Sequence, residues 1–194
     1  MQIKTKILVE GTLMAALAMV FSLIPLQVGS SFSISLGQIP LTIFALRRGV
    51  KPGLLAGLVW GLLHFPLGQV YFLSVPQVLI EYSLAFMFAG FAGVFMGSLM
   101  QAIHNEDVKK ATFIVIKGAL AGSLARYFWH FVAGWIFWGQ YALWGLAPSI
   151  FSLVMNGASG LATGGITALA LVLLYRAVPR LFKIEDSAAL KFNS

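Results

Sequence analysis

Apolar segments near residues 7–27, 35–47, 52–74, 77–103, 111–138 and 148–178 fill most of a 194-residue chain. Most are long enough to cross about 30 Å of hydrocarbon as helices, which rise about 1.5 Å per residue. Hydrophobic residues make up 59% of the chain and charged residues only 10%, against roughly 25% charged in soluble domains. A soluble globule of this size has too little interior to hide so much apolar surface, so bilayer lipid must cover the rest. The expectation is an all-α integral membrane protein, six transmembrane helices in one bundle, forming a single membrane domain over residues 1–194. Segment 35–47 reaches only about 20 Å. It needs extension by the preceding loop, shielding by neighbours or a re-entrant path. The polar stretch Met1–Lys6 leads into the first segment without an A-x-A cleavage site, so that segment is expected to stay as a span.

The basic residues fall in alternate connections: Lys4 and Lys6; Arg47, Arg48 and Lys51; Lys109, Lys110 and Lys117; Arg176, Arg180, Lys183 and Lys191. The connections around 28–34, 66–76 and 139–147 carry no Lys or Arg. Six spans with both the N- and C-termini cytoplasmic give this pattern. The net charge of +7 is thereby explained by orientation, and nucleic acid is not expected as a partner. The absence of cysteine excludes disulfides, iron–sulfur clusters and thiol nucleophiles. No H-E-x-x-H, G-x-S-x-G or paired intramembrane carboxylates occur, so no enzyme, metal or cofactor is expected. Nor is there a G-x-x-x-x-G-K-[ST] loop, so energy for uphill transport would come from another subunit.

Gly49, Gly53, Gly57 and Gly61 recur every four residues, as do Ala89, Gly93 and Gly97, while Gly118 with Gly122 and Gly160 with Gly164 share the spacing. Such small faces let membrane helices approach closely. On the first segment, Gly11, Thr12, Ala15, Ala16 and Ala18 make a small flank that suits either a partner helix or internal packing.

An ionisable residue inside a span costs roughly 2.5 kcal/mol or more and is a functional candidate by default. Glu81, Arg126, His130 and His64 qualify, whereas Glu10 and Lys117 lie near enough to the cytoplasmic face to snorkel. Glu81 follows Gln77 at helical spacing and should sit near the outer surface, where a lone carboxylate suits a cation; the alternative is an ion pair with Arg126. Arg126, His130, Gly134 and Trp138 form one i, i+4 row climbing outward. Trp129, Trp135, Phe137, Trp138, Tyr141 and Trp144 crowd its outer end, as interface anchors or as walls for a flat organic cation. Asn156 adds a donor and an acceptor.

Longer motifs carry a resemblance. L-R-R-G at Leu46–Gly49, G-L-V-W-G at Gly57–Gly61, Y-F-L-S at Tyr71–Ser74, I-E-Y at Ile80–Tyr82, R-Y-F-W-H-F-V-A-G-W-I-F-W-G-Q-Y-A at Arg126–Ala142 and S-L-V-M-N-G at Ser152–Gly157 cover nearly the whole chain. In this combination the sequence resembles the thiamine-specific substrate-binding subunits of energy-coupling factor transporters. The resemblance implies a six-helix subunit that takes thiamine from outside and docks on a module of one transmembrane coupling subunit and two ABC-type ATPases. It implies thiamine contacts at Trp60, Tyr71, Glu81, Tyr82, His130, Trp138 and Asn156, with thiamine as cargo and not as cofactor. Gln69 stands where a histidine is expected and Phe151 where a tyrosine is expected. The loop 28–35 carries Ser31 and Phe32 where the family places a tryptophan over the site. The small flank of the first helix, Gly11, Thr12, Ala15 and Ala16, becomes the implied docking face. Read from the residues alone, two alternatives stand: a self-sufficient proton-coupled secondary transporter for an organic cation using Glu81 and His130, and a membrane enzyme of unassigned chemistry.

Overall fold

The computed structural model describes residues 3–28 and 31–184; Lys191 and the rest of 185–194, and Gly29 and Ser30 of the first loop, lie outside the described residues. Helix α1 (Ile3–Ser22) stops ahead of Pro25, whose ring and missing N–H end the helical ladder. The chain then forms an antiparallel hairpin, β1 (Gln27–Val28) and β2 (Phe32–Ser33), with Val28 opposite Phe32. This hairpin is the one departure from helix and turn among the described residues that the apolar periodicity did not anticipate. Helix α2 (Gln38–Arg48) and helix α3 (Val50–Leu62) meet at Gly49, whose φ of +86° suits a residue without Cβ. Three long helices follow: α4 (Val75–His104), α5 (Val108–Phe137) and α6 (Pro148–Ala177).

Helix starts follow the local chemistry. The Ser74 hydroxyl accepts the Gln77 N–H at the start of α4, Asp107 accepts the Lys110 N–H at the start of α5, and proline occupies the first turn of α4 and α6. Segment 52–74 is not one helix. α3 ends at Leu62, and turns carrying Pro66 and Gly68 (φ +65°) lead to Ser74. Segment 35–47 is a helix of 11 residues, about 17 Å long. It survives because it lies at the centre of the bundle: Gln38, Leu41, Thr42, Ala45 and Leu46 have no exposed surface. α1, α4, α5 and α6 are each long and apolar enough to cross a bilayer, while α3 is a shorter apolar helix.

The glycine spacing does what close packing requires. A Cβ on Gly61 would fall on the carbonyl oxygen of Tyr82, one on Gly57 on the carbonyl oxygen of Phe86, and one on Gly53 within 2.8 Å of the Gly90 carbonyl oxygen. Backbone therefore packs on backbone along the whole of the α3–α4 contact. Gly160 and Gly164 seat Tyr127 and Leu120 in the same way where α6 crosses α5. α4 is irregular against this neighbour: its turn Leu79–Leu84 is a π-helix and Ala89–Phe95 is 3-10.

Gly61→Ala is expected to destabilise the protein by about 1–3 kcal/mol through overpacking, seen as a lowered melting temperature in detergent. Gly165→Ala, where a Cβ meets nothing within 4 Å, should stay within about 0.5 kcal/mol.

Candidate ligand-binding site

A cavity of about 710 Å³ lies between the hairpin and the adjoining ends of α4, α5 and α6, within the 300–1,000 Å³ typical of small-molecule sites. Its acidic group is Glu81, carried with Tyr82 on the π turn of α4. A π turn inserts a residue and re-aims the side chains on it, and such turns recur at functional sites. Glu81 Oε2 accepts from Gln77 Nε2 at 2.5 Å and Oε1 accepts from Trp138 Nε1 at 2.7 Å. Each oxygen keeps a further lone pair. Among the described residues Glu81 makes no ion pair; the salt bridges found there join Glu10 to Arg47 and Arg48. The alternative of a Glu81–Arg126 pair is thereby set aside.

Gln77 is fully buried and organises the rim. Its Nε2 also donates to the Tyr71 carbonyl at 3.1 Å, and its Oε1 accepts the Leu73 N–H at 3.1 Å. The Tyr82 hydroxyl accepts the Tyr71 N–H at 3.0 Å. The loop before α4 is thus stitched to the turn that carries the carboxylate, with the Tyr71 ring lining the cavity while 74% exposed.

The row Arg126, His130, Gly134 and Trp138 lines the cavity in full. It spans three turns of α5, about 18 Å, so Arg126 and Glu81 stand toward opposite ends. Arg126 is buried, with its guanidinium 4.2 Å from the Phe86 ring centroid and 4.6 Å from that of Trp60. Its Nε and Nη1 have no hydrogen-bond partner among the described residues. The His130 ring lies between Tyr127, 5.4 Å away, and Phe86, 6.0 Å away. From α6, Asn156 Nδ2 donates to the carbonyl and hydroxyl of Ser152, which leaves its side-chain oxygen available. Gly134 keeps this corner open, since a Cβ there would meet Ser152. Phe151 is buried at the edge against Trp144, and Ser31 and Phe32 contribute from the hairpin.

Two of the residues selected from the sequence stand outside this lining. Trp60 is fully buried beneath Arg126, donating from Nε1 to Ser22 Oγ at 3.0 Å. Gln69 is exposed on the turn after Gly68, its N–H bonded to the His64 carbonyl. His64 Nδ1 donates to the Trp60 carbonyl, a satisfied interior histidine. Conversely, Gln27, Ser33, Tyr127, Ser152 and Met155 line the cavity without being marked as contacts by the sequence, while Tyr141 lines it as one of the aromatics expected there. Ser152 lies one helical turn before Asn156 and could be found from it, but nothing in the sequence marks the hairpin that brings Gln27 and Ser33. The small flank of α1 divides: Gly11 and Ala15 are buried, Gly11 against Phe44, whereas Thr12 and Ala16 are exposed.

These features define an apolar helical membrane protein with an aromatic-walled, carboxylate-bearing cavity near one end. Residues 8–183 match the family described as Thiamine transporter protein (Thia_YuaJ). The chain is 35% identical over 184 residues to Thiamine transporter ThiT of Lacticaseibacillus paracasei, covering 93% of this chain and 92% of that one. It is 32% identical over 183 residues to Thiamine transporter ThiT of Bacillus subtilis, covering 93% and 95%. A solved structure of ThiT from Listeria monocytogenes is similar with a TM-score of 0.91 and 46% identity, covering 93% of this chain and 99% of that chain. The chain belongs to the thiamine transporter protein family; it is a multi-pass protein of the cell membrane and not an enzyme.

The hairpin is fastened from behind. The Tyr127 hydroxyl donates to the Ser33 carbonyl at 3.0 Å, Ser159 Oγ accepts the Ser33 N–H at 3.1 Å, and Thr163 Oγ1 accepts the Ser35 N–H at 3.2 Å while donating to Tyr127 Oη. Tyr127→Phe removes the 3.0 Å bond to the Ser33 carbonyl and the weaker 3.4 Å contact with Ser33 Oγ, together a change of about 1 kcal/mol. Amide exchange at Ser33 and Ser35, followed by mass spectrometry, is expected to quicken about fivefold.

Proposed function

We propose that this chain is the thiamine-binding subunit of an energy-coupling factor importer, capturing thiamine from outside and handing it on by docking to a shared ATP-driven module. The observation that carries the ligand is Glu81: an intramembrane carboxylate with no cationic partner among the described residues, walled by Trp138, Tyr82 and Tyr71. An ionisable group inside a span is costly and is by default a functional candidate. Thiamine brings a permanent thiazolium charge, flat rings for aromatic faces and pyrimidine groups that exchange hydrogen bonds. Names of relatives at 32–35% identity over most of the chain support the same cargo.

In this proposal Glu81, Tyr82, Tyr71, His130, Trp138 and Asn156 contact thiamine, and Phe151 supplies apolar wall where a hydroxyl was expected. Trp60 supports Arg126 from below, and Gln69 acts only through the turn that precedes Tyr71. Phe32 and Ser31 take the place over the site. Six crossings with both termini cytoplasmic fit the alternate placement of Lys and Arg. The proposed partners are a transmembrane coupling subunit and two ABC-type ATPases, met through the outward side of α1 at Thr12 and Ala16, with Gly11 and Ala15 letting α1 seat on its own bundle.

Glu81→Gln keeps shape and removes charge. A charge-assisted hydrogen bond contributes roughly 1.5–3 kcal/mol, so thiamine affinity by isothermal titration should fall by about 10- to 100-fold. Elution in detergent should not change, because no ion pair is broken. Unaltered affinity would remove the carboxylate from the site.

Ala16→Trp enlarges the exposed side of α1, which does not line the Glu81 cavity. Thiamine binding should persist while uptake with the coupling module fails. Equal loss of both would mean that Ala16 serves internal packing. Liposomes holding the purified chain without partner subunits test the secondary-transporter alternative: proton-driven accumulation by the chain alone would establish it.

A further inference from the structure

A second cavity, of about 800 Å³, opens at the far end of α4, between α1, α3 and the stretch around Gly93–Gly97. Four basic residues surround its mouth: Lys4 from α1, Arg47 and Arg48 from the end of α2, and Lys51 from the start of α3. The bend at Gly49 brings the last three together. Among the described residues, one carboxylate answers them. Glu10 Oε1 lies 2.6 Å from Arg47 Nη1 and Glu10 Oε2 lies 2.6 Å from Arg48 Nη2. Among the described residues, four cations against one anion leave three positive charges around the opening. The Arg48 side chain is only 8% exposed, and its Nη1 has no hydrogen-bond partner among the described residues. Glu10 fixes both guanidinium groups in place, so an arriving anion meets a charge cluster that is already ordered.

Beyond the mouth the walls are apolar and open to the outside of the bundle. Leu8, Leu55 and Val94 line the groove with 61%, 56% and 45% of their surface exposed. Gly97 leaves the wall recessed, for a Cβ there would meet nothing within 4 Å. A free anion would use the mouth and leave the walls bare. A neutral phospholipid would fill the walls and leave the charge unanswered. A second copy docked symmetrically would set its own basic cluster against this one.

We infer that this groove holds an anionic phospholipid, its phosphate among Lys4, Arg47, Arg48 and Lys51 and an acyl chain along Leu8, Leu55 and Val94. Basic pockets between membrane helices are the expected receptors for such headgroups, since the anionic surface potential and local cations act together. The inference is independent of what the first cavity binds.

The test is native mass spectrometry of the full chain in detergent, offered phosphatidylglycerol or phosphatidylcholine with the same acyl chains, or inorganic phosphate. The wild type should retain phosphatidylglycerol at least about tenfold over phosphatidylcholine and retain no inorganic phosphate. Lys4→Gln with Lys51→Gln should lower retention about thirtyfold. Gly97→Phe leaves every charge in place and fills the recess, and should also abolish the preference; unchanged elution of either variant shows that it is folded. Equal retention of the two lipids would overturn the inference, as would undiminished phosphatidylglycerol binding by Gly97→Phe. Binding of inorganic phosphate as strong as that of the lipid would reduce the groove to a simple anion site. A doubled mass without lipid would assign it to a second copy.

Discussion

The contact of α3 with α4 sets the geometry of everything above it. In lipid no hydrophobic force drives helices together, so close approach has to come from backbones that meet without side chains between them. Gly53, Gly57 and Gly61 supply that on α3, and Gly90 and Gly93 return it on α4. The Gly61 position faces the Tyr82 carbonyl, which belongs to the π turn that carries Glu81. A helix held this closely cannot slide to relieve an inserted residue. The extra residue therefore stays localised in one turn, and the carboxylate keeps its direction toward Gln77 and Trp138.

Charge is managed differently at the two ends of the bundle. At the α1–α2–α3 end, Glu10 is matched with Arg47 and Arg48, and the excess among the described residues is positive. At the cavity end, Glu81 receives only neutral donors from Gln77 and Trp138. Neutral donors orient an anion without cancelling it, so its attraction for a cation persists in a medium where Coulomb forces are weakly screened. Arg126, three turns down α5, spends its charge on the faces of Phe86 and Trp60. The aromatic floor thus holds a cation apart from the carboxylate, which keeps the two charges from collapsing into a pair.

Much of this was legible because membrane helices write their constraints locally. Length and apolarity located α4, α5 and α6 to within about three residues, and a single helical row, Arg126–His130–Gly134–Trp138, traced one whole wall of the cavity. Glu81 stood out because an intramembrane carboxylate is rare. What escaped were features that depend on neighbours far away in sequence. Trp60 looks like a binding aromatic until α1 supplies Ser22 to its indole and α5 lays Arg126 over it. Gly11 and Ala15 look like Thr12 and Ala16 until the packing of Phe44 decides which pair turns inward. The helix break at Leu62 was signalled by Pro66 and Gly68 but masked by the continuous apolarity of 52–74.

The hairpin escaped for a further reason that bears on how the site works. Two residues per strand are too few to be stable alone, and no alternation of Gln27–Ser33 could have marked them as strands. Their order comes from Tyr127, Ser159 and Thr163, hydroxyls on α5 and α6 that accept or donate to the backbone of Ser33 and Ser35. Those same two helices carry His130, Trp138 and Asn156 on the cavity side. The cover over the cavity and its far wall are therefore fastened to one rigid pair of helices, while Glu81 and Tyr71 belong to the α4 side. A ligand bridging Glu81 to Asn156 would join these two sides, and the Trp138–Glu81 hydrogen bond already spans them.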